Sequence, residues 1–121
     1  MHDYIISTYT VDLKNKTIEL CAEDTSKKQI SRFIAKDVLT HLFQGILEYN
    51  IILDIQESTP DSFIKENILI LKEKKQECWP IDYQTIDELR DFLYKNKYKY
   101  IEIQCSYGLQ GWILAKEFQI D

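Results

Sequence analysis

YKYIEIQCSYGLQGWILAKEF, residues 98–118, alternates in the manner of two β-strands. In its first half Ile101, Ile103, Cys105 and Tyr107 fall on one side of a period of two, and Tyr100, Glu102, Gln104 and Ser106 fall on the other. In its second half Trp112 and Leu114 alternate with Ile113 and Ala115, so both faces are apolar, as expected of a strand inside a sheet. Two of the chain's three glycines, Gly108 and Gly111, stand between the halves, where a reversal needs positive φ or close backbone approach. The spacing predicts a closing hairpin.

Immediately upstream the period changes from two to that of a helix. Thr85 and Glu88 form a capping box ahead of the apolar stripe Ile86, Leu89 and Leu93, with Asn96 the expected left-handed terminator. An earlier helix is signalled by Thr59 as N-cap and Pro60 at the first position, where a missing N–H costs nothing. Its stripe is Phe63, Ile64, Ile68 and Leu71, its last turn carries Lys72, Lys74 and Lys75, and it should stop before Pro80.

Before the helices the residue types are those of strands. Tyr4 to Val11 and Thr17 to Glu23 predict a first hairpin turning near Asn15, and Ile51 to Ile55 suits a central strand. The segment Gln29 to Gln44 fits a helix or two short strands broken near Lys36 and Asp37, and its β-branched and aromatic content favours the strands. The expected architecture is a single α+β domain over residues 1–121: a mostly antiparallel sheet of about five to seven strands, with two helices inserted before the C-terminal hairpin.

Composition narrows the function classes. A net charge of −5 disfavours a general affinity for nucleic-acid backbones and favours, for any charged partner, a basic one. The start MHDYIISTYT lacks a basic region followed by an apolar core, and no apolar run is long enough to span a bilayer, so a cytoplasmic protein without membrane contact is expected. Cys21, Cys78 and Cys105 are odd in number and far apart, so neither a disulfide framework nor a zinc site is indicated, and Cys21 and Cys105, alternating with polar neighbours in strand-like runs, read as buried packing thiols. No metal or other cofactor is expected, and His2-Asp3 is too near the terminus to count as a metal site.

Individual residues leave two functional readings open. The cluster Tyr94, Lys95, Lys97, Tyr98, Lys99 and Tyr100 could stack on single-stranded nucleic acid, but lysines at a helix end and tyrosines at a strand start are explained structurally. The sequence GLQG, residues 108–111, joins two strands and matches no phosphate-cradling pattern. No catalytic residues are assigned. The first reading is a protein-binding surface with Tyr98, Tyr100, Glu102 and Trp112 as contacts, because rigid aromatics make good anchors and carboxylates steer a basic partner. The alternative is a small enzyme or ligand-binding domain in which His41 meets Asp54, Glu57 or a cysteine in a pocket between sheet and helices. A homodimer through an exposed sheet edge is a third possibility.

Residues FIAKDVLTHLF, then NIILDIQES, then a helix, then IEIQCSYGLQGWILAKEF resemble small single-domain bacterial proteins of uncharacterised function. Some similar small acidic proteins are immunity proteins beside secreted toxins. The resemblance spans about residues 30–120, rests chiefly on Val38, His41, Phe43, residues 50–57 and SYGLQGWILAK, and brings no catalytic motif. It implies a β-rich domain with two helices and a binding role, such as neutralising a basic toxin domain.

Overall fold

The computed structural model describes residues 4–24, 26, 29–48 and 50–121, apart from the side chain of Leu53. Six strands form the frame: β1 Tyr4–Asp12, β2 Thr17–Asp24, β3 Gln29–Gln44, β4 Asn50–Ser58, β5 Lys99–Tyr107 and β6 Gln110–Ile120. They close into a barrel in the order β1-β2-β3-β6-β5-β4, and every pairing is antiparallel. The expected sheet is therefore rolled up, and β6 pairs on both sides. That explains its two apolar faces: Ile113 and Ala115 enter the barrel, whereas Trp112 and Leu114 pack beneath the helices.

The ambiguous segment 29–44 is one long strand, and its expected break survives as a bend. Asp37 adopts φ 53°, and the register with β6 shifts between Val38 and Thr40. Before the bend β3 pairs with both β2 and β6, and after it with β6 alone. The strand can thus leave β2 and carry its second half towards the helices.

The hairpin 98–118 forms as expected, with one correction. Only Gly108 lies in the turn, at φ 92°, while Gly111 is inside β6 opposite Phe43. A Cβ on Gly111 would meet the Leu42 carbonyl and the Phe43 ring, so the missing side chain lets β3 and β6 approach. A Cβ on Gly108 would run into Asn50, the one polar residue among the described residues of the core. Asn50 Oδ1 accepts from the N–H of Leu109 at 2.9 Å and of Leu47 at 3.1 Å, and its Nδ2 donates to the Leu47 carbonyl at 2.7 Å. One amide side chain thereby ties the loop before β4 to the β5–β6 turn.

Between β4 and β5 lie three α-helices rather than two: α1 Pro60–Glu66, α2 Ile68–Lys74 and α3 Ile86–Lys95, with a 3-10 turn at Lys75–Glu77. The first expected helix divides at Asn67, whose backbone sits at φ −116°, ψ 20° and whose Nδ2 donates to the Phe63 carbonyl at 2.9 Å. The apolar stripe runs on across the break, which is why periodicity alone does not show it. The caps follow the sequence: Thr59 Oγ1 accepts from Ser62 N–H and Thr85 Oγ1 from Glu88 N–H, both at 3.2 Å. At the end of α3 the left-handed residue is Lys97, φ 59°, not Asn96, which instead donates its side-chain amide to Phe92.

Two apolar clusters result. Phe33, Ile18, Leu20, Ile52, Ile101, Ile103 and Ile113 fill the barrel. Phe63, Leu71, Leu89, Leu93, Tyr100, Trp112 and Leu114 fill the seam between its outer wall and the helices. Removal from water contributes roughly 1.5–3 kcal/mol for each large side chain.

Candidate functional site: the cleft beside Asn67

The seam opens to the surface in a cleft beside Asn67. A cleft of about 630 Å3 runs between the α1–α2 junction and the outer wall made by the ends of β3, β5 and β6. Leu42, Trp112 and Ile68 contribute apolar lining, and Glu66, Asn67, Tyr100 and Glu102 contribute the polar groups, with Lys65, Gln104 and Gln110 also on its walls.

The polar groups form a connected set. Tyr100 donates its hydroxyl to Glu66 Oε2 at 2.8 Å and accepts from Asn67 Nδ2 at 3.3 Å. The helix break therefore has a local purpose, since the residue that interrupts the helix also fixes the phenol. Burial, and then the hydrogen bond to Glu66, push the Tyr100 hydroxyl far above the usual phenol range. Glu102, next on its face of β5, is held above the ordinary glutamate value by partial burial first, then by a hydrogen bond to Glu66 and repulsion from its charge. The Glu66 carboxylate therefore disfavours a second negative charge at Glu102.

Of the residues the sequence singled out for binding, Tyr100, Glu102 and Trp112 all line this cleft. Tyr100 and Trp112 are only 2% and 5% exposed, so they form its floor and are not protruding anchors. Their rings are committed to Phe63, at centroid distances of 5.5 and 5.1 Å. Tyr98 lies elsewhere, stacked on Phe92 at 5.9 Å with Lys116 Nζ 5.3 Å from its ring centre. Glu66 and Asn67 are the site residues that the sequence reading did not single out. Neither carries a local signal, because the apolar stripe of Phe63, Ile64, Ile68 and Leu71 runs on past them.

The alternative set is not assembled. His41 faces a separate hollow of about 230 Å3 between Val38–Thr40 and the β1–β2 turn, where partial burial lowers its pKa. Asp54 and Glu57 belong to β4, and β6 and β5 stand between that strand and β3. Asp54 pairs in register with Gln104, and Glu57 meets Lys99 at 4.0 Å. The sheet–helix cleft is thus real, but His41, Asp54 and Glu57 are not among its lining residues.

Other candidates have structural partners. Cys105 lies in the barrel core, where burial pushes its thiol up to about 11, while Cys21 is half-buried and Cys78 exposed. Tyr94 donates to Asp61 at 2.7 Å, and Arg90 bridges Asp61 and Asp87, joining α1 to α3. Among the described residues no three His, Cys, Asp or Glu side chains could hold a metal ion, and no helix is long and apolar enough to cross a membrane. His2-Asp3 lies outside the described residues. Comparison of the chain with protein families, curated proteins and solved structures gives no match.

Proposed function

We propose that the chain is a non-catalytic binding domain for a basic protein partner, and that the cleft beside Asn67 receives a lysine or arginine side chain from it. Neutralisation of a basic toxin domain by an immunity protein is the specific form of this reading. The observation that carries it is the Glu66–Glu102 pair, two carboxyls brought together at the wall of a cleft in a chain of net charge −5. An ammonium or guanidinium group placed between them offsets the repulsion that Glu102 meets from Glu66 and gains charge-assisted hydrogen bonds. The apolar lining from Leu42, Ile68 and Trp112 suits the methylene stem of the same side chain.

The test is a nuclear magnetic resonance titration with a short peptide of alternating arginine and glycine, set beside its glutamate counterpart. Support requires shifts at Glu66, Glu102 and the Trp112 indole with the arginine peptide alone, and at least about tenfold weaker binding for Glu66→Gln and for Glu102→Gln. Shifts confined to another face, or equal binding by both variants, overturn the proposal.

A further inference from the structure

The cleft beside Asn67 carries more than its two carboxyls. Its outer wall is built from two cross-strand rows of side chains. In the first, Leu42, Trp112 and Glu102 stand in register on β3, β6 and β5. In the second, two positions along each strand, stand Gln44, Gln110 and Gln104. All six line the cleft. Residues two apart on a strand leave the same face about 7 Å from one another, so a group lying between the rows can touch the glutamate with one edge and the amides with the other.

The hydrogen bonds already made decide what the wall offers a ligand. Gln110 donates its Nε2 to the Cys105 carbonyl, which leaves the amide oxygen as the part it can present to the cleft. Glu66 accepts from the Tyr100 hydroxyl at 2.8 Å, and an ionised carboxylate has acceptor sites to spare and no donor. The carboxyls and the Gln110 oxygen therefore call for donors on two sides of a ligand. Lys65, on the same lining, is exposed and forms no ion pair among the described residues, so it does not neutralise the glutamates.

The two protein cations meet this layout differently. A guanidinium is flat and spreads five N–H donors around its edge, whereas an ammonium gathers three at one atom and holds its water more tightly. The guanidinium can donate in opposite directions within one plane, to the carboxyls and to the Gln110 oxygen. The ammonium reaches one row and leaves the other to water.

We infer that the cleft selects arginine over lysine, with Gln110 as the residue that sets the preference. This rests on the cationic-partner reading above and narrows it to one side chain.

Two peptides of equal length and charge, alternating arginine with glycine and lysine with glycine, are titrated into the full chain and followed at the Trp112 indole and the Glu102 side-chain carboxyl. The expected result is at least about fivefold tighter binding of the arginine peptide. In Gln110→Met, an exposed position where circular dichroism checks the fold, arginine affinity should fall to the lysine value while lysine affinity stays as it was. Equal affinity of the two peptides for the unaltered chain overturns the preference and leaves the binding reading standing. An arginine margin that survives in Gln110→Met overturns the role of Gln110, and binding of neither peptide removes the underlying reading together with this one.

Discussion

Inside the barrel the side chains are mainly aliphatic, and Ile18, Leu20, Ile52, Ile101, Ile103 and Ile113 need no polar partner. Beneath the helices the rings of Phe63, Trp79, Tyr100 and Trp112 meet at centroid distances from 5.1 to 6.4 Å, and several carry a polar tip. Each tip has to end on something: Trp79 Nε1 donates to Thr40 Oγ1 at 3.0 Å, Tyr83 to the Leu71 carbonyl at 3.4 Å, and Tyr100 to Glu66. Both clusters bury apolar area, but only the second brings hydrogen-bonding chemistry to the surface, and there the cleft lies. The lesson is that an aliphatic core can be closed completely, whereas an aromatic seam with polar tips ends in a polar rim.

The sharpest way to separate the two regions is a matched pair of truncations. Phe33→Ala in the barrel and Phe63→Ala in the seam should each cost about 3–5 kcal/mol in denaturant unfolding. Their effects on the arginine-peptide titration should differ. Phe33→Ala leaves the affinity of the folded molecules unchanged, whereas Phe63→Ala also weakens binding, because Tyr100 and Trp112 rest on that ring.

A smaller break, on the barrel side, is Gly108→Ala. It combines strain at φ 92° with a clash against Asn50, and is expected to cost about 2–3 kcal/mol and to speed amide exchange at Leu47 and Leu109. On the seam side Thr40→Val removes the acceptor of the Trp79 indole and should cost about 1–2 kcal/mol. The indole proton resonance would report the change.

The smallest effect has the opposite sign. Because the folded-state pKa of Glu102 is raised, the folded chain holds more of this proton than the unfolded chain between the ordinary glutamate value and the raised one. Stability therefore falls as pH rises through that window, and the penalty is absent below it. Glu102→Gln should stabilise the chain at neutral pH by less than about 1 kcal/mol and flatten this part of the pH profile, even as it weakens binding. A carboxyl kept where an amide would be more stable is what a binding site requires.

Much of the architecture was legible because it rests on local rules. The period of two in residues 98–118, the caps Thr59 and Thr85, and the placement of helices before the last hairpin all follow from near neighbours. Closure of the sheet was not legible, since the pairing of β1 with β4 joins Ile5 to Ile51 across the chain without a local signature. The break at Asn67 was hidden because Phe63, Ile68 and Leu71 keep the apolar stripe through it. In the site, the types and the β5–β6 positions of Tyr100, Glu102 and Trp112 could be read, but their near-complete burial and the approach of Glu66 depend on how the helices lie on the wall. His41, Asp54 and Glu57 had the residue types for the alternative pocket, and it is the strand order that keeps them apart.

The claim that a cation is held beside Glu102 and Glu66 is most directly tested by following the side-chain carboxyl carbon of Glu102 against pH, with and without saturating arginine peptide. The account predicts a midpoint above the usual glutamate value in the free chain, a fall below that value in the complex, and peptide affinity that rises with pH over the same interval. A Glu102 midpoint that does not move when the peptide binds would contradict it.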